Sequence, residues 1–217
     1  YTYNDVSCNG ESETFTITVN PSPLVNFSEA DQVITSGETT TAVDLTSPTT
    51  GVTFAWTVSV PTGITGVTTL TGTDNIPAET LINSTTQPLD VVYTAIATGD
   101  VGFDCEGLPT NYTVTVNPQA QVNPVDDQVI CNDENLVIEF SSIVTGGTTT
   151  FSWTNDNTAI GLDATGTGNI DITATNTTDE PLTATIVVTP SFENGGETNT
   201  GNSITCLLYT SDAADDT

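Results

Sequence analysis

Residues 52–58 read Val-Thr-Phe-Ala-Trp-Thr-Val, and the alternation of apolar with polar or small side chains in this stretch decides the fold class. A period of two places one set of side chains on the buried face of a β-strand and the other set on its solvated face. The same alternation is present at residues 15–19, 136–140 and 182–188. No segment has a sustained helical period, so the sequence predicts an all-β fold.

This stretch also occurs twice, which indicates tandem domains. Phe-Ala-Trp at 54–56 is matched by Phe-Ser-Trp at 151–153, an offset of 97 residues, and residues 31–34 return at 127–130, an offset of 96 residues. Further matches follow in the same order, so we expect repeats of about 95 residues. About seven short strands per repeat, separated by Gly and Pro turn signals, predict tandem Ig-like β-sandwiches.

The repeat divides the chain into four predicted segments. Residues 1–21 correspond to the terminal hairpin of a truncated preceding repeat. Residues 22–118 form a complete repeat, called the first repeat below, and residues 119–205 form the second repeat, which we expect to lack its last strand. Residues 206–217 are expected to be a non-native tail, because residues 206–216 resemble the translation of an adapter used to prepare sequencing libraries.

Five short motifs carry a resemblance to a known family. They are Asp-Gln-x-Ile-Cys at 127–131, Phe-x-Trp at 151–153, Asn-x-Thr-x-x-Pro-Leu at 176–182, Cys-x-Gly at 105–107 and Thr-Val-Asn-Pro at 115–118. Through these five motifs, called the family motif pattern below, the chain resembles PKD-like domains, which recur in tandem in large secreted surface adhesins of gliding bacteria. The resemblance implies an extended multidomain protein at the cell surface.

The charge balance bounds the chemistry that this chain can perform. Its 217 residues include 28 Asp and Glu but no Lys, Arg or His, which gives a net charge of −28. It has no Schiff-base lysine, no arginine clamp for phosphate and no His-based triad, so we expect no enzymatic activity. Nucleic acid and anionic membrane surfaces would repel it, and no apolar run approaches the ~20 residues of a membrane span.

Carboxylates are the charged groups that remain as candidates for a binding site. Asp126, Asp127, Asp133 and Glu134 cluster near the start of the second repeat, and hard oxygen ligands of this kind suit calcium. Calcium is therefore the one candidate cofactor. The alternative is a solvated acidic surface that keeps an extended chain soluble. We expect divalent cations to bind diffusely.

Trp56 and Trp153 occupy matching positions, each two residues after a Phe. Aromatic faces suit carbohydrate rings, so an exposed pair could bind sugar. A Trp on this strand of an Ig-like sandwich usually fills the core, however, and we expect both side chains to be buried.

The family motif pattern contains two cysteine positions. The first follows Asp-Gln-x-Ile and is Thr35 in the first repeat and Cys131 in the second. The second precedes the last strand and is Cys105 in the first repeat and Asn199 in the second. If the two positions form a disulfide within one domain, Cys105 and Cys131 each correspond to a position that is not cysteine in the same repeat, unless they join each other. Cys8 occupies the second position of the segment at 1–21, and Cys206 belongs to the expected tail.

These observations favour an extracellular structural or adhesive repeat segment of a large bacterial cell-surface protein. Its expected partners are neighbouring repeats of the same chain and, beyond them, surface glycans or other cell-surface proteins. The alternative is a carbohydrate-binding accessory module of a secreted enzyme, which would need an exposed aromatic row or a groove.

Overall fold

The computed structural model describes residues 2–3, 6–7, 10–99 and 105–211, and most of its regular structure is β-strand. Within these ranges the helical structure is a single 3₁₀ turn, Thr158–Ile160, and no helix is long and apolar enough to cross a membrane. Two short strands, β1 (Thr2–Tyr3) and β2 (Val6–Ser7), pair with each other ahead of the first repeat.

The strands of the two repeats follow in chain order. Those of the first repeat are β3 (Asn26–Phe27), β4 (Gln32–Thr35), β5 (Leu45–Thr46), β6 (Val52–Ser59), β7 (Ile64–Thr65), β8 (Thr71–Gly72), β9 (Ile82–Asn83), β10 (Leu89–Gly99) and β11 (Thr110–Asn117). Those of the second repeat are β12 (Gln128–Cys131), β13 (Asn135–Ile138), β14 (Thr148–Asn155), β15 (Thr165–Thr167), β16 (Ile170–Thr173), β17 (Leu182–Asn194), β18 (Glu197–Thr200) and β19 (Ile204–Ser211).

The main sheets of the two repeats have the same strand order. It is β4-β11-β10-β6-β8 in the first repeat and β12-β19-β17-β14-β15 in the second, where β18 also pairs with β17. In each sheet the first pair is parallel and the remaining pairs are antiparallel. Short pairs complete the opposite layer: β3 with β5 and β7 with β9 in the first repeat, and β13 with β16 in the second. This arrangement confirms the predicted Ig-like β-sandwich.

Each repeat encloses a hydrophobic core of its own. In the first repeat, Trp56 packs edge-on against Tyr93 with ring centroids 5.7 Å apart, and Tyr93 continues to Tyr112 at 6.2 Å. Tyr93 pairs with Tyr112 across β10 and β11, and the corresponding pair across β17 and β19 is Ile186 with Cys206. The second core is therefore less aromatic at this point, although it is equally closed to solvent.

The place of the last strand in the second repeat is filled by residues 204–211, most of which belong to the expected non-native tail. β19 occupies the place that β11 has in the first repeat, between β12 and β17. Its side chains alternate as a strand requires, with Cys206, Leu208 and Thr210 buried. Because Leu208 and Thr210 are buried while Leu207 and Tyr209 are half-buried, the segment at 207–210 fits the open place between two strand edges whatever its origin.

The predicted strand at residues 15–19, in contrast, is absent. In the structure, residues 10–21 form no strand, and Phe15, Ile17 and Val19 are exposed. An alternating segment becomes a strand only when a neighbouring strand takes its backbone hydrogen bonds, and no described strand does so here. Cys8 lies outside the described residues.

Candidate functional site

Both tryptophans lie in the cores, as predicted. Trp56 is 3% exposed and Trp153 is 7% exposed. Each indole lies against a glycine of the next strand: a Cβ on Gly72 would be 2.5 Å from Cζ2 of Trp56, and a Cβ on Gly166 would be 2.1 Å from Cζ2 of Trp153. The indole N–H groups donate to the carbonyls of Asp74 at 2.7 Å and Gly168 at 3.2 Å. Neither ring is therefore available to stack on a sugar.

A buried carboxylate in the first repeat is a feature that sequence reasoning missed. Glu79 is buried, and its Oε1 accepts hydrogen bonds from the backbone N–H and the hydroxyl of Thr68 at 2.6 and 2.8 Å. The N–H of Thr69 donates to the same oxygen at 3.1 Å, and the hydroxyl of Tyr93 donates to Oε2 at 3.1 Å. Burial, and then the negative charge of Glu79, raises the pKa of Tyr93. Glu79 thus fastens the loop at 68–69 to the core.

We expect Glu79→Ala to lower the free energy of unfolding of the first repeat by about 2–4 kcal/mol, because it leaves buried donors without an acceptor. Urea unfolding monitored by fluorescence in a Trp153→Phe background would report on the first repeat alone. The matched control is Glu29→Ala, which removes an exposed carboxylate and should change stability by less than about 0.5 kcal/mol. Equal losses for the two variants would contradict the role given to Glu79.

The four acidic residues predicted as calcium ligands do not meet in the structure. Asp126 and Asp127 precede β12 and Asp133 and Glu134 follow it, so about 13 Å of strand separates the two pairs. Three of the carboxylates accept local hydrogen bonds: Asp127 from the N–H of Leu207, Asp133 from the amide of Asn132, and Glu134 from the N–H of Cys131. Across the described ranges, no group of three or more His, Cys, Asp or Glu side chains is placed to hold a metal ion.

We therefore expect calcium to raise the melting temperature gradually, by a few degrees, through screening of the negative charge. Sodium chloride at equal ionic strength should reproduce part of the rise. Differential scanning calorimetry across a calcium titration measures this. A saturating, calcium-selective increase that disappears in Asp133→Asn would contradict the expectation and restore the four residues as ligands.

The cysteines of the two repeats have different surroundings. Cys105 is a half-buried free thiol, Cys131 is exposed at the end of β12, and Cys206 is a buried free thiol in β19. Burial, followed by the nearby Asp127 carboxylate, raises the pKa of the Cys206 thiol. A raised pKa leaves little thiolate, which disfavours reaction at Cys206.

Each repeat also has an open depression at the same place on its main sheet. In the first repeat it has a volume of about 580 Å³ and is lined by Phe54, Thr73 and Thr98, among others. In the second repeat it has a volume of about 560 Å³ and is lined by Phe151, Thr167 and Ser191, among others. The two Phe side chains are half-buried and pack against the cores, so each depression combines part of a Phe side chain with hydroxyl groups.

The junction between the repeats is held by side-chain amides. Asn117, the last residue of β11, donates to the carbonyl of Asn194 at 3.0 Å, and Asn194 donates back to Oδ1 of Asn117 at 2.9 Å. Asn199 binds the connecting segment on both sides: its amide donates to the carbonyl of Pro118 at 3.0 Å, and its oxygen accepts from the N–H of Ala120 at 2.7 Å. The β17–β18 hairpin of the second repeat is therefore bonded to the end of the first repeat and to the linker.

Two glycines of the second repeat allow side chains of the first repeat to pack closely against their backbone at this junction. A Cβ on Gly195, which has φ +63°, would lie 2.9 Å from Cγ2 of Val33, and a Cβ on Gly146, with φ +84°, would lie 2.6 Å from Cδ of Pro88. Val33 is half-buried in this position, whereas its counterpart in the second repeat, Val129, is 76% exposed. The two valines thus mark equivalent end faces, one covered and one open.

The strand order and the repeated Trp position agree with the sequence comparison. Residues 31–120 match the family model of the PKD-like domain. This match covers most of the first repeat, and the second repeat has the same order of strands in its main sheet. No curated protein matches the chain.

Several solved structures are similar to this chain at the level of the fold. An I-band fragment of titin has 11% identity and a TM-score of 0.41, with 89% of this chain covered. This chain spans 66% of that titin fragment. Rst D1-D2 has 14% identity and a TM-score of 0.44, covering 87% of this chain and 99% of that one. The D00-D0 domain of intimin has 11% identity and a TM-score of 0.39, covering 85% and 98%.

Proposed function

We propose that this chain is a structural and adhesive segment of an extracellular bacterial surface protein, and that it has no catalytic role. The observation that carries the proposal is the junction. Amide hydrogen bonds and the close packing of Val33 and Pro88 against two glycines fix one sandwich to the end of the next, which is what a stalk requires and a catalytic domain does not. The net charge of −28 supports the same role, since mutual repulsion keeps a long chain soluble and extended.

Surface labelling tests this proposal. An antibody raised against the chain should label intact cells that produce it, and a glutamate-specific protease added outside the cells should remove the label. An antibody against a cytoplasmic protein is the control and should label only permeabilised cells. Labelling of the chain restricted to permeabilised cells would contradict an extracellular location.

The paired depressions favour a second candidate, a carbohydrate-binding module. They lie at equivalent places in both repeats, and each combines a half-exposed Phe with Thr and Ser hydroxyls. A glycan array of the full chain tests this candidate, with Phe54→Ala and Phe151→Ala as site variants and Leu70→Ala as an exposed apolar control. Binding that both Phe variants weaken and the control retains would favour carbohydrate recognition, whereas no binding leaves the structural role as the better proposal.

A further inference from the structure

The two cysteine positions of one repeat lie at opposite ends of its main sheet. Thr35, the first position, pairs in register with Asn117 at the end of β11. Cys105, the second position, precedes Thr110, where β11 begins. The eight residues of β11 span about 24 Å, whereas a disulfide requires Cα atoms within about 7 Å. A disulfide between these two positions within one repeat is therefore excluded.

The junction brings the same two positions together from neighbouring repeats. Thr35 lies beside Asn117 in the sheet, and Asn199, the second position of the second repeat, bonds to Pro118, the next residue along the chain. The strands that carry them, β18 and β4, are in contact. The first position of one repeat and the second position of the next thus lie on the two sides of one junction.

Burial agrees with this arrangement. Thr35 and Asn199 are both buried at the junction, whereas Cys131 is exposed. Cys131 is the counterpart of Thr35 and lies on the same face of its strand as the exposed Val129. The first cysteine position is therefore buried in the first repeat, which contacts the repeat that follows, and exposed in the second repeat.

We propose that these two positions form an inter-repeat disulfide site, in which the first cysteine position of one repeat pairs with the second cysteine position of the repeat that follows. The junction that this chain contains in full carries Thr35 and Asn199, so it has lost both halves of one site rather than one half of each of two sites. Cys105 and Cys131 supply the halves that face a preceding and a following repeat.

The chemistry requires a disulfide oxidant, such as oxidised glutathione. The two cysteine sulfurs form an S–S bond as the S–S bond of the oxidant breaks. The two cysteines lose two electrons and two protons, and the oxidant is released as two thiols. An oxidising extracellular location, on which this proposal rests, would maintain such a bond.

Two variants of the full chain separate the inter-repeat pairing from the intra-repeat pairing. The first is Thr35→Cys with Asn199→Cys, in a background with Cys8, Cys105 and Cys131 replaced by Ser. The second is Thr35→Cys alone with Cys8 and Cys131 replaced by Ser, so that Cys105 is the remaining candidate partner in the first repeat. Each is oxidised with glutathione at low protein concentration, alkylated, digested with pepsin and mapped by mass spectrometry.

In the first variant we expect the loss of two alkylatable thiols, a peptide joining residues 35 and 199, and a rise in melting temperature that dithiothreitol reverses. We expect no bond in the second variant, or in a control with Asn202→Cys in place of Asn199→Cys. A bond to Cys105 in the second variant, or none in the first, would overturn the proposal.

A measurement on the unmodified chain covers the case in which Asn199→Cys does not fold. Nuclear Overhauser contacts between the Thr35 methyl group and the residues of β18 should be present, and their absence would also overturn the proposal. Either failure would leave the extracellular structural role standing, since surface labelling tests that role separately.

Discussion

Replacing Trp56 with alanine should lower the free energy of unfolding of the first repeat by about 3–5 kcal/mol, because the indole is almost fully buried and the neighbouring Gly72 has no side chain to fill the cavity. Its N–H bond to the carbonyl of Asp74 would be lost as well. Urea unfolding followed by circular dichroism measures the loss, while the fluorescence of Trp153 reports on the second repeat in the same sample.

Two further variants test whether this effect belongs to the core. Trp153→Ala should destabilise the second repeat by a similar amount and leave the first nearly unchanged. Leu70→Ala removes an exposed apolar side chain and should cost less than about 0.5 kcal/mol. If Trp56→Ala behaved like Leu70→Ala, the ring could not be part of the core, and the case for sugar stacking would reopen.

Ending the chain after Ser203 should abolish the folding of the second repeat, a loss of more than about 5 kcal/mol, which is the low end of the stability of a small domain. β19 pairs with both β12 and β17 and buries Cys206 and Leu208, so its removal leaves two open strand edges and an uncovered core. In a Trp56→Phe background, the fluorescence of Trp153 should lose its cooperative urea transition.

Improving β19 should have the opposite effect. The hydroxyl of Thr210 is buried without a hydrogen-bond partner in the place that Val116 has in the first repeat, so Thr210→Val should stabilise the second repeat by about 1–2 kcal/mol. Replacing residues 206–210 by Tyr-Thr-Val-Thr-Val, as in β11, is a stronger version. No change after the deletion, or destabilisation by Thr210→Val, would show that β19 does not belong to this sheet in solution.

The sequence predicted those features that depend on local periodicity. The alternation around Trp56 and Trp153 is a property of each strand, so strand type and Trp burial could both be predicted. The same alternation at 15–19 gave a wrong prediction, because a strand also needs a neighbour to pair with. The segment at 204–211 has no repeat signature, yet it forms a strand because it lies between two open strand edges.

The sites depend on contacts between distant segments, and these were harder to predict. Glu79 is an ordinary acidic residue in the sequence, and only the fold brings Thr68 and Tyr93 to its carboxylate. Asp127 and Asp133 are close in the sequence, but the extended strand β12 separates them. The exchange of cysteine between two positions was visible in the sequence. Which two positions lie close together could not be predicted from the sequence, because the residues that meet at the junction belong to different repeats.

In each main sheet, the strand that comes first along the chain pairs in parallel with the strand that comes last along the chain. This pairing determines how a repeat responds to tension. The chain enters the sheet on β4, with Gln32 beside Val114, and leaves it on β11, with Asn117 beside Thr35. A pull on the two ends of the repeat therefore drags these strands past each other along their length. Their evenly spaced hydrogen bonds are loaded together in shear rather than opened one by one. β12 and β19 have the same geometry, so each repeat in series places such a shear-loaded pair directly in the path of the force.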